Sequence, residues 1–263
     1  MTSEREIRYF DIMSEWIAQK ESAAALTRGK LTDKIIDEIK ELIFSGKIQV
    51  GQSLPPGRKL AEQFKVSRVV VREAMKSLEQ SGLVEIRIGA KGGAFVIQKP
   101  HLPLFSSFYD LLNRGELTVE HIAEVRRTNE CANVRLACAK ATAEDIRRLR
   151  GINEELSGSE LSRLKRKDNN RDFHLVIAEI SGNPLAKLIV NSLLLLTDTL
   201  YPTTTDTKEF VKNMYERHRA IINAIEARDV IGCEILMALD AEATKQLMPR
   251  PAQNAGSEDV NLD

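Results

Sequence analysis

Between residues 31 and 97 the apolar pattern changes period in a fixed order, and that order restricts the fold more than any other feature of the chain. Ile35, Ile39, Leu42 and Ile43 recur at i, i+4, i+7 and i+8, one stripe of a helix over 31–44 that Ser45-Gly46 ends. Gly51-Gln-Ser-Leu-Pro-Pro-Gly57 is a turn-rich connector. A short helix over 58–63 follows, then the turn Phe64-Lys-Val66, then Ser67 as N-cap of a helix over 68–81 that Gly82 stops. The period then shortens to two. Residues 83–88 alternate Leu83, Glu85, Arg87 against Val84, Ile86, Ile88, the tip is Gly89-Ala-Lys-Gly-Gly93, and 94–97 is the returning strand. Helix, helix-turn-helix, hairpin is the order of a winged helix.

A helix that reads the major groove needs long donors on its leading turn. Ser67, Arg68, Val69 and Arg72 occupy that turn, and the four-residue step puts Arg68 and Arg72 on one face. The paired guanidinium donors of arginine match guanine O6 and N7. Arg58 opens the preceding helix, and Gly89 and Lys91 give the wing tip close backbone approach and charge. The core positions expected behind them are Leu60, Phe64, Val66, Val71, Ala74, Met75, Leu78 and Leu83. Charge segregates the same way. The whole chain has 38 Lys+Arg and 38 Asp+Glu, yet residues 29–99 carry 13 against 8, a balance of +5, while 1–28 sum to −1 and 100–263 to −4.

Around this unit the chain divides further. Residues 1–28 read as a helical arm, with a helix over 4–25 on Ile7, Phe10, Met13, Ile17 and Ala24. Residues 100–103, from Pro100 to Pro103, read as a stiff linker, and 104–248 read as an all-helical domain. Its helices are expected over 104–113, 118–140, 143–156, 158–180, 184–200, 208–227 and 230–247. Residues 249–263 read as a disordered tail. The expected class is therefore mostly α, a winged helix-turn-helix followed by an all-α bundle. Cys131, Cys138 and Cys233 form no CxxC and are expected as small apolar core residues. No apolar run is long enough for a membrane span and no signal-peptide pattern opens the chain, so a cytoplasmic protein is expected.

The run from Leu54-Pro55 through Arg58, Phe64, Ser67-Arg68, Val71-Arg72-Glu73-Ala74-Met75, Leu78-Glu79 and Gly82-Leu83-Val84 closely resembles the DNA-binding signature of the GntR family. By that resemblance Arg58, Arg68, Arg72 and Gly89 map onto the family's DNA-contacting positions. It also implies a homodimer on a double-stranded operator with an inverted repeat. Two positions depart from the pattern. Pro56-Gly57 replaces the usual Ser-Glu, which alters the cap of the second helix. Val69 replaces a common threonine, keeping a thymine-methyl contact and losing a donor.

Residues 104–247 resemble the helical ligand domain of the FadR subfamily, the FCD domain, on three pieces. They run from Glu124 to Thr142, from Asn170 to Pro184 and from Glu216 to Asp229. Metal-binding members use Asp-x3-His on one helix and a histidine on each of the last two. Here those positions are Asn170, His174, His218 and Asp240. One reading keeps a divalent transition metal, zinc or nickel, on His174, His218 and Asp240, with Asn170 as a weak oxygen ligand. The other drops the metal and has Asn170, His174 and His218 bind an organic effector directly. Arg126 either meets an effector carboxylate through two parallel hydrogen bonds or pairs with Glu130 on its own face. The resemblance implies a regulator, a repressor by default, answering to a small carboxylate. The rival readings are a regulator whose sensor no longer responds and, with no nucleophile or general base in evidence, a metal-dependent hydrolase.

Overall fold

A computed structural model describes residues 27–89, 92–156, 162–200 and 207–246. The expected N-terminal arm, Lys91 and the C-terminal tail lie outside the described residues. The chain divides into two compact units between Pro103 and Leu104.

In the first unit α1 (Arg28–Phe44) buries Ile35, Ile39 and Leu42 against the helices that follow. Helix α2 (Gly57–Phe64) buries Leu60, Ala61 and Phe64. Its N-cap is Pro56, which offers no side-chain cap, and the Pro56 carbonyl accepts from Lys59 and Leu60 instead. The loss of the capping side chain is the local cost of Pro56-Gly57. Lys65 takes the left-handed conformation (φ 54°, ψ 43°), closing the turn to Ser67. The Ser67 hydroxyl then accepts from the Val70 N–H at 3.5 Å and starts α3 (Arg68–Gln80). The core residues expected from α2 and α3 are buried; Val66 and Leu83 pack at the edge of that core.

The wing is the antiparallel pair β1 (Val84–Arg87) and β2 (Gly93–Val96), in the register Val84↔Val96 to Arg87↔Gly93. Both strands are shorter or shifted relative to 83–88 and 94–97. Val84 and Val96 anchor the base in the core, but Ile86 is 43% exposed and Ile88 fully exposed. The alternation predicted a buried face along the whole strand. The strand instead runs off the core after Val84, so alternation without a surface beneath it buries nothing. At the base the chain crosses itself closely. Gly82 has φ +69°, and a Cβ there would stand 2.3 Å from the Lys99 carbonyl.

Helix α4 (His101–Asn113) begins three residues before the division and continues into the second unit. Residues 101–103 of the expected 100–103 linker form the first helical turn, and the division between the units falls at their end, after Pro103. Pro103 is compatible with that turn because the first N–H groups of a helix have no intrahelical acceptor. There follow α5 (Val119–Lys140), α6 (Ala143–Leu156), α7 (Arg163–Ser181), α8 (Pro184–Leu200), α9 (Lys208–Glu226) and α10 (Val230–Lys245). Their starts follow capping chemistry. Thr118, Ser162, Thr207 and Asp229 each accept a backbone N–H of the next turn, and Pro184 stands at the first position of α8. Residues 158–161 of the expected 158–180 helix are outside the described set. Helix α5 is the centre of the bundle, packed against α7, α8, α9 and α10. Val134, Ala137, Leu149, Phe173, Ile221 and Met237 fill the core, together with the free thiols Cys138 and Cys233, while Cys131 is half-buried.

Candidate functional site

The first unit carries an exposed cationic surface. Arg58, Arg68 and Arg72 are all exposed, on α2 and α3, and border a concavity between α3 and the wing floored by Val71, Met75, Ile86 and Ala94. Arg58 Nε lies 3.4 Å from Glu62 one turn on, a solvated pair that competes weakly with phosphate. Val69 is 39% exposed on the leading turn of α3. Ser67 is exposed but its hydroxyl oxygen is engaged as the helix cap. In the wing, Arg87 lies over the Phe95 ring at 4.3 Å and bonds Glu85 at 2.7 Å, which holds it to the wing. Gly89 has φ +118°, a conformation that favours glycine.

The second unit holds a buried polar cluster where helices α5, α7, α9 and α10 meet. His174, His218 and Asp240 each offer a ligand atom, and these atoms all lie within 4.8 Å of one another. His174 Nε2 is 3.4 Å from Asp240 Oδ2, and its Nδ1 is 3.2 Å from Glu130 Oε2. Arg126 Nε donates to Glu130 Oε1 at 2.7 Å, and Arg217 Nε donates to Asp240 Oδ1 at 2.8 Å. The order of charges is therefore Arg126, Glu130, His174, Asp240, Arg217, alternating in sign. His218 stands beside it, stacked on Phe173 with ring centroids 3.8 Å apart, and neither of its nitrogens has a hydrogen-bond partner.

Burial would drive protons off both histidines, but their surroundings separate them. Burial pushes His218 down to about 3, against the opposing pull of Asp240. For His174 burial is overcome by the Glu130 and Asp240 carboxylates, which push it up to about 9. Burial would raise Glu130, yet Arg126 and His174 bring it down to about 2. Asp240 is likewise held well below the carboxylate range, by His174, His218 and Arg217 against burial. One imidazole held toward the charged form and one held toward the neutral form thus share a buried site.

The structure brings together three of the four positions proposed for metal. Asn170 lies one turn before His174 on α7 and is only half-buried. Arg126, 1% exposed, makes the Glu130 pair of the two alternatives. Arg217 was missed as part of the site, and Glu130 was expected only as a partner for Arg126, not for His174. The available signal was helical phase: Arg126 and Glu130 share the inward stripe of α5 with Ala123, Val134 and Ala137. A metal of the Zn or Ni kind suits two imidazoles and a carboxylate, and neither His218 nitrogen is engaged in a hydrogen bond with another protein group, so one of them is free to act as a ligand. The residues therefore fit such an ion. Binding it at His174 Nε2 requires loss of the proton facing Asp240.

The model of bacterial regulatory proteins of the gntR family matches residues 31–96, and the FCD domain model matches 121–243. The HTH-type transcriptional repressor NanR of Enterobacter sp. (strain 638) is 31% identical over 210 residues, 78% of this chain and 80% of its own. The HTH-type transcriptional regulator LutR of Bacillus subtilis (strain 168) is 32% identical over 203 residues, 74% of this chain and 91% of its own. A solved structure, Streptococcus agalactiae GntR, shares the fold with a TM-score of 0.56 at 23% identity, over 82% of this chain and 99% of that one. Among the described residues no helix is long and apolar enough to cross a membrane.

Proposed function

Because the chain belongs to the GntR family of bacterial regulatory proteins and carries an FCD domain, it is a DNA-binding transcriptional regulator and not an enzyme, and we propose that it is a repressor of the FadR kind whose operator affinity is set by a small carboxylate effector at the His174–His218–Asp240 cluster. A homodimer places two winged helices on an inverted repeat, with Arg68 and Arg72 reading base edges and Arg58, Gly89 and Lys91 holding the backbone.

The observation that carries the sensing half is His218. It is fully buried, its nitrogens bond no protein group, and it stands with His174 and Asp240 as a set of possible ligand atoms within 4.8 Å of one another, so a bound species with a bond to offer is favoured beside it. In this reading a divalent transition metal there supplies a Lewis-acidic anchor for an anionic effector. The chain's own part is to orient the ligands. Glu130 fixes the His174 ring through Nδ1, Arg217 holds one Asp240 oxygen so that the other faces the histidines, and Phe173 stacks His218 in place. An effector changes DNA affinity only to the extent that it binds two conformations of the regulator unequally.

A second reading is favoured by the same geometry: with Asp240 bonded to Arg217 and facing His174, the cluster is self-neutralised and takes an organic effector directly through His218. Elemental analysis of protein purified without chelators or a histidine tag separates the two. Near-stoichiometric metal that disappears in His218→Ala and Asp240→Ala supports the first reading. Metal-free protein whose melting temperature is unmoved by zinc or nickel overturns it in favour of the second.

A further inference from the structure

Helix α3 buries Val70, Val71, Ala74, Met75 and Leu78, and its other side presents Arg68, Val69, Arg72, Glu73 and Lys76 to solvent. Glu73 lies one turn beyond Val69 and next to Arg72, so a carboxylate stands among the cations of the helix assigned to the groove. Left alone, it would oppose DNA binding in two ways. Its charge repels phosphate, and it would draw Lys76, three residues on, away from the DNA backbone.

Glu73 is not left alone. Arg28, the first residue of α1, reaches it across 45 positions of sequence. Arg28 Nε donates to Oε2 at 3.2 Å and Nη2 donates to Oε1. One guanidinium thus engages both oxygens, a planar fork that lysine does not reproduce. The pair is exposed, 60% at Arg28 and 45% at Glu73. An exposed pair adds little to stability, and α1 and α3 already share a core through Ile35, Ile39, Val71 and Leu78. The consequence of the pair therefore lies in the charge that α3 shows to DNA.

We propose that Arg28 is a positioning residue of the DNA-binding surface: by clamping Glu73 it neutralises the carboxylate beside Arg72 and leaves Arg72 and Lys76 to the duplex. The proposal rests on the reading of α3 as the groove helix. Charge makes it distinguishable from a merely structural pair. The pair is neutral in the wild-type chain, negative in Arg28→Ala, positive in Glu73→Gln and absent in the double variant, which is neutral again. A structural pair weakens binding when either partner is lost. A screening pair moves binding in opposite directions for the two losses.

The test is the affinity of the full chain for a duplex it selects from a random pool and for an unselected duplex, by fluorescence anisotropy over a potassium chloride series. Arg28→Ala is expected to weaken both by about 3-fold or more at about 0.1 M salt and to lower the slope of log affinity against log salt by about one. Glu73→Gln is expected to tighten both and steepen the slope, and the double variant to return to within about 2-fold of wild type. Arg28→Lys keeps the charge and is expected to keep the wild-type slope. Helical circular dichroism is expected unchanged throughout; if Arg28→Ala loses helicity, Arg28→Gln carries the same prediction. If Arg68→Ala weakens binding while the two single variants both weaken it, or both leave affinity and slope unmoved, the proposal is overturned and the groove reading stands. An Arg68→Ala that binds as wild type does condemns the placement of α3 in the groove, and the proposal falls with it.

Discussion

His174 lies between two carboxylates, at 3.2 Å from Glu130 and 3.4 Å from Asp240, while His218 makes no such close ion pair, and that asymmetry governs how the metal-free site responds to pH. His174 has a folded pKa near 9 against an ordinary 6.5. Its contribution to stability is fully present below pH 6.5 and is lost as pH rises through about 9. His218 runs the other way: its folded value near 3 means the unfolded chain takes up the proton first, so stability falls as pH drops from 6.5 toward 3. Glu130, brought down to about 2, adds stability above its ordinary 4.5 that is lost as pH falls through 2. Metal-free protein is therefore expected to melt highest near neutrality, with a loss on the order of 1–3 kcal/mol on the alkaline side by pH 9.5. Chemical denaturation across pH checks this, and His174→Asn removes the alkaline limb. Glu130→Gln keeps the shape of the side chain but removes the charge balancing Arg126 and His174. It is expected to cost about 3 kcal/mol in the same assay, as removal of one partner from a buried pair does. At the DNA face, Arg68→Ala and Arg72→Ala are each expected to weaken specific binding by about 1–3 kcal/mol and relax preference at one base pair. Arg58→Ala should weaken all duplexes alike and lower the salt slope.

At the scale of elements, what the sequence made legible was whatever local chemistry decides. Ser67 reads as the cap of the helix it starts, and the starts expected at 118 and 230 fall at the caps Thr118 and Asp229. Pro103 was misread because proline stops a helix from inside but is tolerated in its first turn, and a sequence does not show which turn it occupies. Ile86 and Ile88 alternate correctly for a strand, yet their burial depends on whether a core reaches that far, which is a tertiary matter. The same limit hid Arg217 and the contact of Glu130 with His174. The histidines were found through a motif, whereas these two join the cluster through α5 and α9 side chains that meet only in the packed bundle. Gly82 is the element-scale residue most open to test. Gly82→Ala places a methyl against the Lys99 carbonyl in a left-handed turn, and it is expected to lower the melting temperature and spread the base of the wing. Gly151→Ala, in open space on a helix, should not.

For the whole molecule, the two units divide the chemistry. The exposed arginines are in the first, and the buried cluster of alternating charge is in the second. Regulation requires that occupancy of the second change the affinity of the first, and such couplings are about 5–150-fold. The most direct measurement takes a duplex selected from a random pool by the wild-type chain. Its affinity is then measured for protein stripped of metal, protein reloaded with zinc or nickel, and reloaded protein with a panel of small carboxylates. The account predicts at least one condition that shifts the affinity 5-fold or more for wild type and leaves His218→Ala, which still binds the duplex, unmoved. An affinity equal in every condition for both chains would contradict it and make this a regulator whose helical domain senses nothing at the cluster.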